Sequence, residues 1–135
     1  MSSATVEPLS LMQDARGLLF EPLDAAGLAA QRNTHVVITA PGFVRGNHRH
    51  VSGTEVAVVV GPALVRLREQ GALRDVEVPA GQAWRFTIPA GVSHAYRGHG
   101  PGPMVMVAFR LTDNPSLESG LLSPSRIFRA TRIIF

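Results

Sequence analysis

Short runs of apolar and β-branched residues recur along most of this chain, and turn residues break them at intervals of roughly ten. Residues 34–40 (Thr-His-Val-Val-Ile-Thr-Ala) are rich in β-branched side chains and stop at Pro41-Gly42, which predicts a strand. Further strands are predicted around His48 and His50, over residues 55–60, and over 63–69 after Gly61-Pro62. Residues 75–78, 84–88, 93–97 and 104–111 complete the series. This spacing is the one expected of an all-β sandwich or barrel. Upstream, residues 1–12 read as a loose or strand-forming arm, Asp14 to Gly17 as a turn and residues 18–20 as a short strand. Residues 24–31 read as a short helical turn at most. Downstream, residues 113–125 read as loop, and the basic, apolar ending 126–135 reads as a strand for a partner subunit or an appendage.

Composition narrows the class. A chain of 135 residues makes one domain able to bury a core, and 45% hydrophobic against 17% charged residues marks it as globular. The longest apolar run, residues 56–60, is strand-sized, so no membrane span is expected. The first residues carry neither a basic start nor an apolar stretch, so a cytoplasmic protein is expected. Cysteine is absent, which leaves N and O ligands for any metal. All 13 basic residues are arginine, so lysine chemistry is excluded. They are scattered over a net charge of only +3, which argues against a nucleic-acid surface and favours a small anionic ligand.

The candidate chemistry sits in residues 42–55. His48 and His50 are two apart, so on a strand they share a face, and Glu55 follows a turn at Ser52-Gly53. Two imidazoles and a carboxylate converging with open positions are the ligand set of a mononuclear metal site; the alternative is a set of polar residues lining a metal-free cavity. His94, after Pro89-Ala90-Gly91, is a fourth candidate ligand. Tyr96 has the parity of His94 and either points its phenol inward beside the metal or is an ordinary core aromatic; Ala57 and Val59 have the parity of Glu55 and form an apolar floor. Trp84, Phe86 and Ile88 alternate on one face, as a ligand slot or as core. His35 is either a general base facing the cavity or structural. Arg45 is a candidate for a substrate phosphate or carboxylate if Gly46 resets the strand phase; otherwise it is a rim charge. Arg49 points outward, and His99 lies in a solvated loop.

These segments resemble the paired motifs of the cupin superfamily, the RmlC-like jelly rolls. Gly42, His48, His50 and Glu55 fit the first motif, with Gly61 closing it one position early. Gly81, Pro89, Gly91 and His94 fit the second, with a longer first spacer and Gly98 at its final Asn position. The resemblance implies a double-stranded β-helix, a single cupin domain over residues 1–135. Its barrel spans about residues 30–112, with an N-terminal arm (1–29) and a C-terminal extension (113–135). It also implies one divalent metal (Zn, Fe, Mn or Ni) on His48, His50, Glu55 and His94, and a homodimer.

Within the superfamily, Val44-Arg-Gly-Asn-His48 looks like the cupin domain of capsular-polysaccharide sugar-nucleotide reductases. That similarity implies a metal-dependent epimerase or isomerase of a keto sugar nucleotide. The metal would polarise the carbonyl, His35 or Tyr96 would move the proton, and Arg45, with Trp84 and Phe86, would hold substrate. Two alternatives stay open: an Fe(II) dioxygenase of a small organic substrate, and a non-catalytic module binding a small molecule.

Overall fold

The computed structural model of this chain describes residues 3–111, so the readings made for residues 112–135 lie outside the described residues. The described residues form eleven strands and one helix. In chain order these are β1 (Thr5–Pro8), β2 (Met12–Asp14), β3 (Gly17–Leu19), α1 (Ala25–Ala30), β4 (Gln31–Thr39) and β5 (Val44–His48). They continue with β6 (Thr54–Val60), β7 (Ala63–Glu69), β8 (Ala72–Val78), β9 (Ala83–Ile88), β10 (Ser93–Gly98) and β11 (Met104–Leu111). A five-stranded sheet runs β1-β9-β6-β11-β4 and a four-stranded sheet runs β5-β10-β7-β8, all antiparallel, with β2-β3 a separate hairpin. The fold is all-β, as the strand pattern predicts, and a jelly roll, as the resemblance implies.

Alternation puts one face of each sheet into a shared core. Ala57, Val59, Phe86, Ile88, Met104 and Met106 from the first sheet meet Val65, Leu67, Val78 and Tyr96 from the second. The other face of the five-stranded sheet is covered too. Val56, Val58 and Phe109 pack beneath Leu9, Leu11, Phe20 and Leu23, which explains the near-continuous valine run of β6. The N-terminal arm is therefore more structured than its composition predicts. β1 pairs with β9 through Val6↔Phe86 and is a full sheet member. The helical turn does form, capped by the Asp24 side chain accepting from the Gly27 N–H at 2.7 Å.

Two local features differ from the sequence reading and together place the site. First, β5 ends at His48, and His50 lies beyond it in the loop. The Gly91 N–H donates to the His50 carbonyl (2.8 Å) and fastens this loop to the turn before β10. Second, β5 and β6 belong to different sheets, so residues 49–53 form a crossover and not a hairpin. Gly53 makes the crossover possible. Its φ is +76°, and a Cβ there would stand 2.9 Å from the Leu111 carbonyl oxygen. Glu55 consequently faces the histidines from the opposite wall of the barrel.

Candidate functional site

The register builds the site strand by strand. His48 and His94 are direct cross-strand partners on β5 and β10, which brings their ring centroids to 4.8 Å. The loop returns His50 to the same place, 4.8 Å from His48 and 5.3 Å from His94. Glu55 enters from β6, and its neighbour on β11 is Arg110. One ligand atom from each of His48, His50, Glu55 and His94 lies within 4.8 Å of the others, and all three histidines are buried.

The hydrogen bonds fix how these groups are presented. His94 Nδ1 lies 3.0 Å from the Val92 carbonyl, which accepts only a proton-bearing nitrogen, so the Nε2 lone pair faces the cluster. That Nε2 is buried without a hydrogen-bond partner and stands 3.5 Å from Glu55 Oε1. Tyr96 donates its hydroxyl to Glu55 Oε1 at 2.8 Å, and His50 Nε2 lies 2.6 Å from Glu55 Oε2. Arg110 Nη1 reaches His50 Nδ1 at 2.7 Å, and its Nη2 donates to the Ser52 carbonyl at 2.6 Å.

Electrostatics follow from burial. Desolvation, aided by His94 and His50, pushes the His48 imidazole down to about 4, so it is neutral near pH 7. Burial would raise the Glu55 carboxyl, but hydrogen bonding to His50 and the nearby His94 outweigh it and hold the group well below its usual range. Burial and the Glu55 charge push the Tyr96 phenol well above its ordinary value, so it remains a proton donor. A neutral His48, the Glu55 carboxylate and the unpartnered His94 Nε2, with His50 beside them in one buried cluster, fit a divalent cation by donor type and by spacing.

A cavity of about 80 Å³ opens onto this cluster, lined among others by His35, Arg45, Glu55, Tyr96 and Arg110. His35 does face it, because β4 pairs with β11 through His35↔Ala108. Arg45 reaches it by the phase reset that Gly46 makes possible. Gly46 and Asn47 have φ of +77° and +57°, and Asn47 is an extra residue opposite the His94–Ala95 step of β10. Gly46 itself leaves room for the site, since a Cβ there would stand 3.1 Å from the His94 carbonyl oxygen and 3.3 Å from the Tyr96 ring.

Trp84 and Phe86 are not brought to the cavity. Their register with Val59 and Ala57 sets them deeper along the barrel than Glu55. Phe86 is fully buried core, and Trp84 is half-buried with its indole N–H donating to Gln82 Oε1 at 2.8 Å. Arg49 is exposed, as its alternation predicts. His99 is not simply solvated: its Nε2 lies 3.0 Å from Glu77 Oε2 on the outer surface. Arg110 and Asn33 are the polar lining residues that the sequence reading missed. The available signal was phase, because Arg110 continues the inward series Met104, Met106, Ala108 of β11.

A jelly roll with a buried His–Glu cluster at the mouth of its barrel is the arrangement that the resemblance to cupins implies. The chain belongs to the polysaccharide biosynthesis C-terminal domain family, which matches residues 12–113. Among solved structures, a double mutant of the 3,4-ketoisomerase QdtA from Thermoanaerobacterium thermosaccharolyticum, in complex with TDP, is similar with a TM-score of 0.62. Identity is 16%, over 87% of this chain and 86% of that one. The 3'-monoepimerase ChmJ from Streptomyces bikiniensis, in complex with dTDP-quinovose, gives 0.64 at 17% identity, over 84% and 66%. The capsular polysaccharide assembling protein CapF from Staphylococcus aureus gives 0.56 at 24% identity. There the match covers 81% of this chain but only 32% of CapF, so the chain spans about a third of that protein. No curated protein sequence matches the chain.

Proposed function

We propose that this cupin is an epimerase or isomerase of a keto sugar nucleotide, with a divalent metal held at the cluster of His48, His50, Glu55 and His94. The observation that carries the reading is the pairing of that cluster with Tyr96 at the bottom of a small cavity whose rim holds Arg45 and His35. Its support from other proteins is the fold shared with a sugar 3,4-ketoisomerase and a 3'-monoepimerase.

The size of the cavity favours the same chemistry. At about 80 Å³ it is far below the 300–1,000 Å³ of a site that encloses a whole drug-sized ligand. Part of one sugar ring enters it, and the nucleotide lies across the rim, where the exposed Arg45 guanidinium pairs with phosphate. A bound divalent cation supplies Lewis-acid polarisation of the sugar carbonyl. His35, on the inner face of β4, takes the proton from the carbon next to the carbonyl. The Tyr96 phenol, held protonated, hydrogen-bonds the oxygen on which charge develops. Return of a proton to the opposite face of the same carbon inverts it; return to the former carbonyl carbon moves the keto group, provided that the hydroxyl on the deprotonated carbon gives up its proton to become the new carbonyl and the former carbonyl oxygen takes one up.

The test is incubation with 4-keto sugar nucleotides in D2O, followed by NMR. Deuterium should enter at the carbon beside the carbonyl in wild-type protein supplied with zinc, manganese or iron(II), and fail to enter in His35→Ala. Absence of exchange across the panel overturns the reading.

The same proposal includes a cytoplasmic homodimer. No helix among the described residues is long and apolar enough to cross a membrane. β4 is a nine-residue edge strand whose outward Val36 and Ile38 are each 62% exposed, an unprotected edge of the kind a second copy covers. Light scattering should give twice the chain mass, and Val36→Lys with Ile38→Lys should return it to one.

A further inference from the structure

We infer that Asn33 is a positioning residue for the proposed reaction: its side-chain carbonyl holds the proton of His35 on Nδ1, so that Nε2 is the nitrogen that meets the substrate carbon. The inference rests on the epimerase or isomerase reading above and adds to it the group that orients its base.

The sequence puts the two side chains together. Positions 33 and 35 share the inward face of β4, and both line the cavity. Asn33 Oδ1 stands 3.4 Å from His35 Nδ1. A carbonyl oxygen only accepts, so this contact is a hydrogen bond when Nδ1 carries the proton. A neutral imidazole has one N–H, and its lone pair is then on Nε2. The distance is at the long end of the range, as catalytic hydrogen bonds often are before a substrate is bound, and such bonds tighten in the complex.

Local structure brings Asn33 to this place. β4 pairs with β11 through Asn33↔Arg110, and the next pair is Gln31↔Leu111, so Arg32 is an extra residue on β4. A bulge of this kind re-aims the side chains beside it. Gln31 lies level with Leu111, which packs on the outer cluster, and bonds to Thr34. Asn33 is therefore the last inward residue of β4 before the mouth. β4 is also an edge strand with one neighbour only. Among the described residues Asn33 is the one hydrogen-bond partner of the His35 ring, and Val37 along the strand and Ala108 across it are apolar. Without Asn33 the ring is free to turn over and to present either nitrogen. Proton removal from carbon needs one lone pair held on the C–H, with the reacting atoms about 3–3.5 Å apart.

The experiment uses the full chain labelled with 15N-histidine and supplied with zinc. Long-range 1H–15N correlation spectra at about pH 8, above the ordinary imidazole value, read the tautomer. The expected result is His35 protonated on Nδ1 in wild type and a mixture of tautomers in Asn33→Leu. A wild-type His35 protonated on Nε2 overturns the inference. Kinetics give the second readout, with the 4-keto sugar nucleotide that exchanges deuterium fastest in wild type. Asn33→Leu should lower kcat by about 10- to 100-fold and leave KM within about twofold. Asn33→Asp keeps the acceptor and should return kcat to within about threefold of wild type. Asn33 is exposed, so both variants should keep the wild-type melting curve. An unchanged kcat in Asn33→Leu, a change in KM alone, or an Asn33→Asp no faster than Asn33→Leu overturns the inference. If no 4-keto sugar nucleotide exchanges in wild type, the epimerase or isomerase reading falls and the role of Asn33 with it. Exchange that survives Asn33→Leu undiminished sinks only the inference.

Discussion

The inward faces of the strands differ sharply between the mouth of the barrel and its interior. At the mouth the neighbouring positions are Glu55, Arg110, His94 and His48, joined by Asn33 on β4. One layer further in, Ala57 of β6 and Ala108 of β11 lie level with Phe86 of β9, across the core from Val65 of β7, and beyond them come Val59, Met106 and Ala63. Secondary structure is the same in both layers and so is the alternation. What changes is that the interior layers close on apolar contact, whereas the mouth keeps a carboxylate and three imidazoles out of water and ties them by short hydrogen bonds. Tyr96 is the seam between them, with its ring in the core cluster and its hydroxyl on Glu55. Stability is concentrated in one layer and chemistry in the next.

Truncating the interior should break the fold and spare the site's donors. Phe86→Ala removes a fully buried aromatic from the centre of the core and should cost about 3–5 kcal/mol in urea unfolding. A loss under about 1 kcal/mol would show that the neighbouring strands collapse into the space and that the layers are not distinct. Tyr96→Phe tests the seam. It keeps the ring and removes one donor from a buried carboxylate, so the expected cost is about 1.5–3 kcal/mol. The Tyr96 variant should also slow deuterium exchange at the substrate carbon, and Phe86→Ala should not slow it in the fraction that remains folded.

His94→Leu sharpens the contrast from the other side. It deletes a nitrogen buried without a hydrogen-bond partner, which offsets the loss of the bond to Val92, so metal-free stability should change by less than about 1 kcal/mol. Zinc uptake should nevertheless disappear. A large loss of stability in the metal-free protein would mean that the mouth is as structural as the interior.

How much of this could be read from the sequence depended on whether one strand carried the information. His48, His50, Glu55 and His94 were legible because the first three share one 14-residue stretch and the fourth follows a Pro-x-Gly turn. The inward aim of Tyr96 followed from parity with His94. The number and order of strands followed from turn residues and β-branched runs. What stayed hidden needed pairing between distant strands. Arg110 continues the inward phase of an apolar strand that reads as core, and its register with Glu55 is what puts that position at the mouth. Trp84 and Phe86 have the correct parity for a ligand slot, but depth along the barrel is set by the β6–β9 register, which no local pattern encodes. The phase of Arg45 depended on a bulge at Asn47, whose left-handed backbone conformation is invisible in the alternation. The end of β5 at His48 was missed for the same reason, since the crossover that stops it is held by Gly53 and by Gly91 from the turn before β10.

The outer surface supplies the smallest expected effect and a control for the buried one. Asp75 on β8 pairs with Arg66 on β7 through two short contacts, and that hydrogen bonding holds its carboxyl below the usual value of 3.8. A carboxyl depressed in the fold contributes stability that is present above its unfolded value and lost as pH falls through the folded one. Asp75→Asn should therefore leave the melting temperature at pH 7 nearly unchanged and remove a little of the decline between about pH 4 and pH 3. The contribution is small because water screens both partners: Arg66 and Asp75 keep 25% and 46% of their side-chain surface exposed, against 12% for Glu55. The same charge pairing is thus a minor decoration on the outside of this barrel and the organising contact at its mouth. Melting curves of Asp75→Asn and Tyr96→Phe side by side across pH 3–8 would measure that difference directly; equal shifts would mean that the mouth is far wetter than its burial indicates.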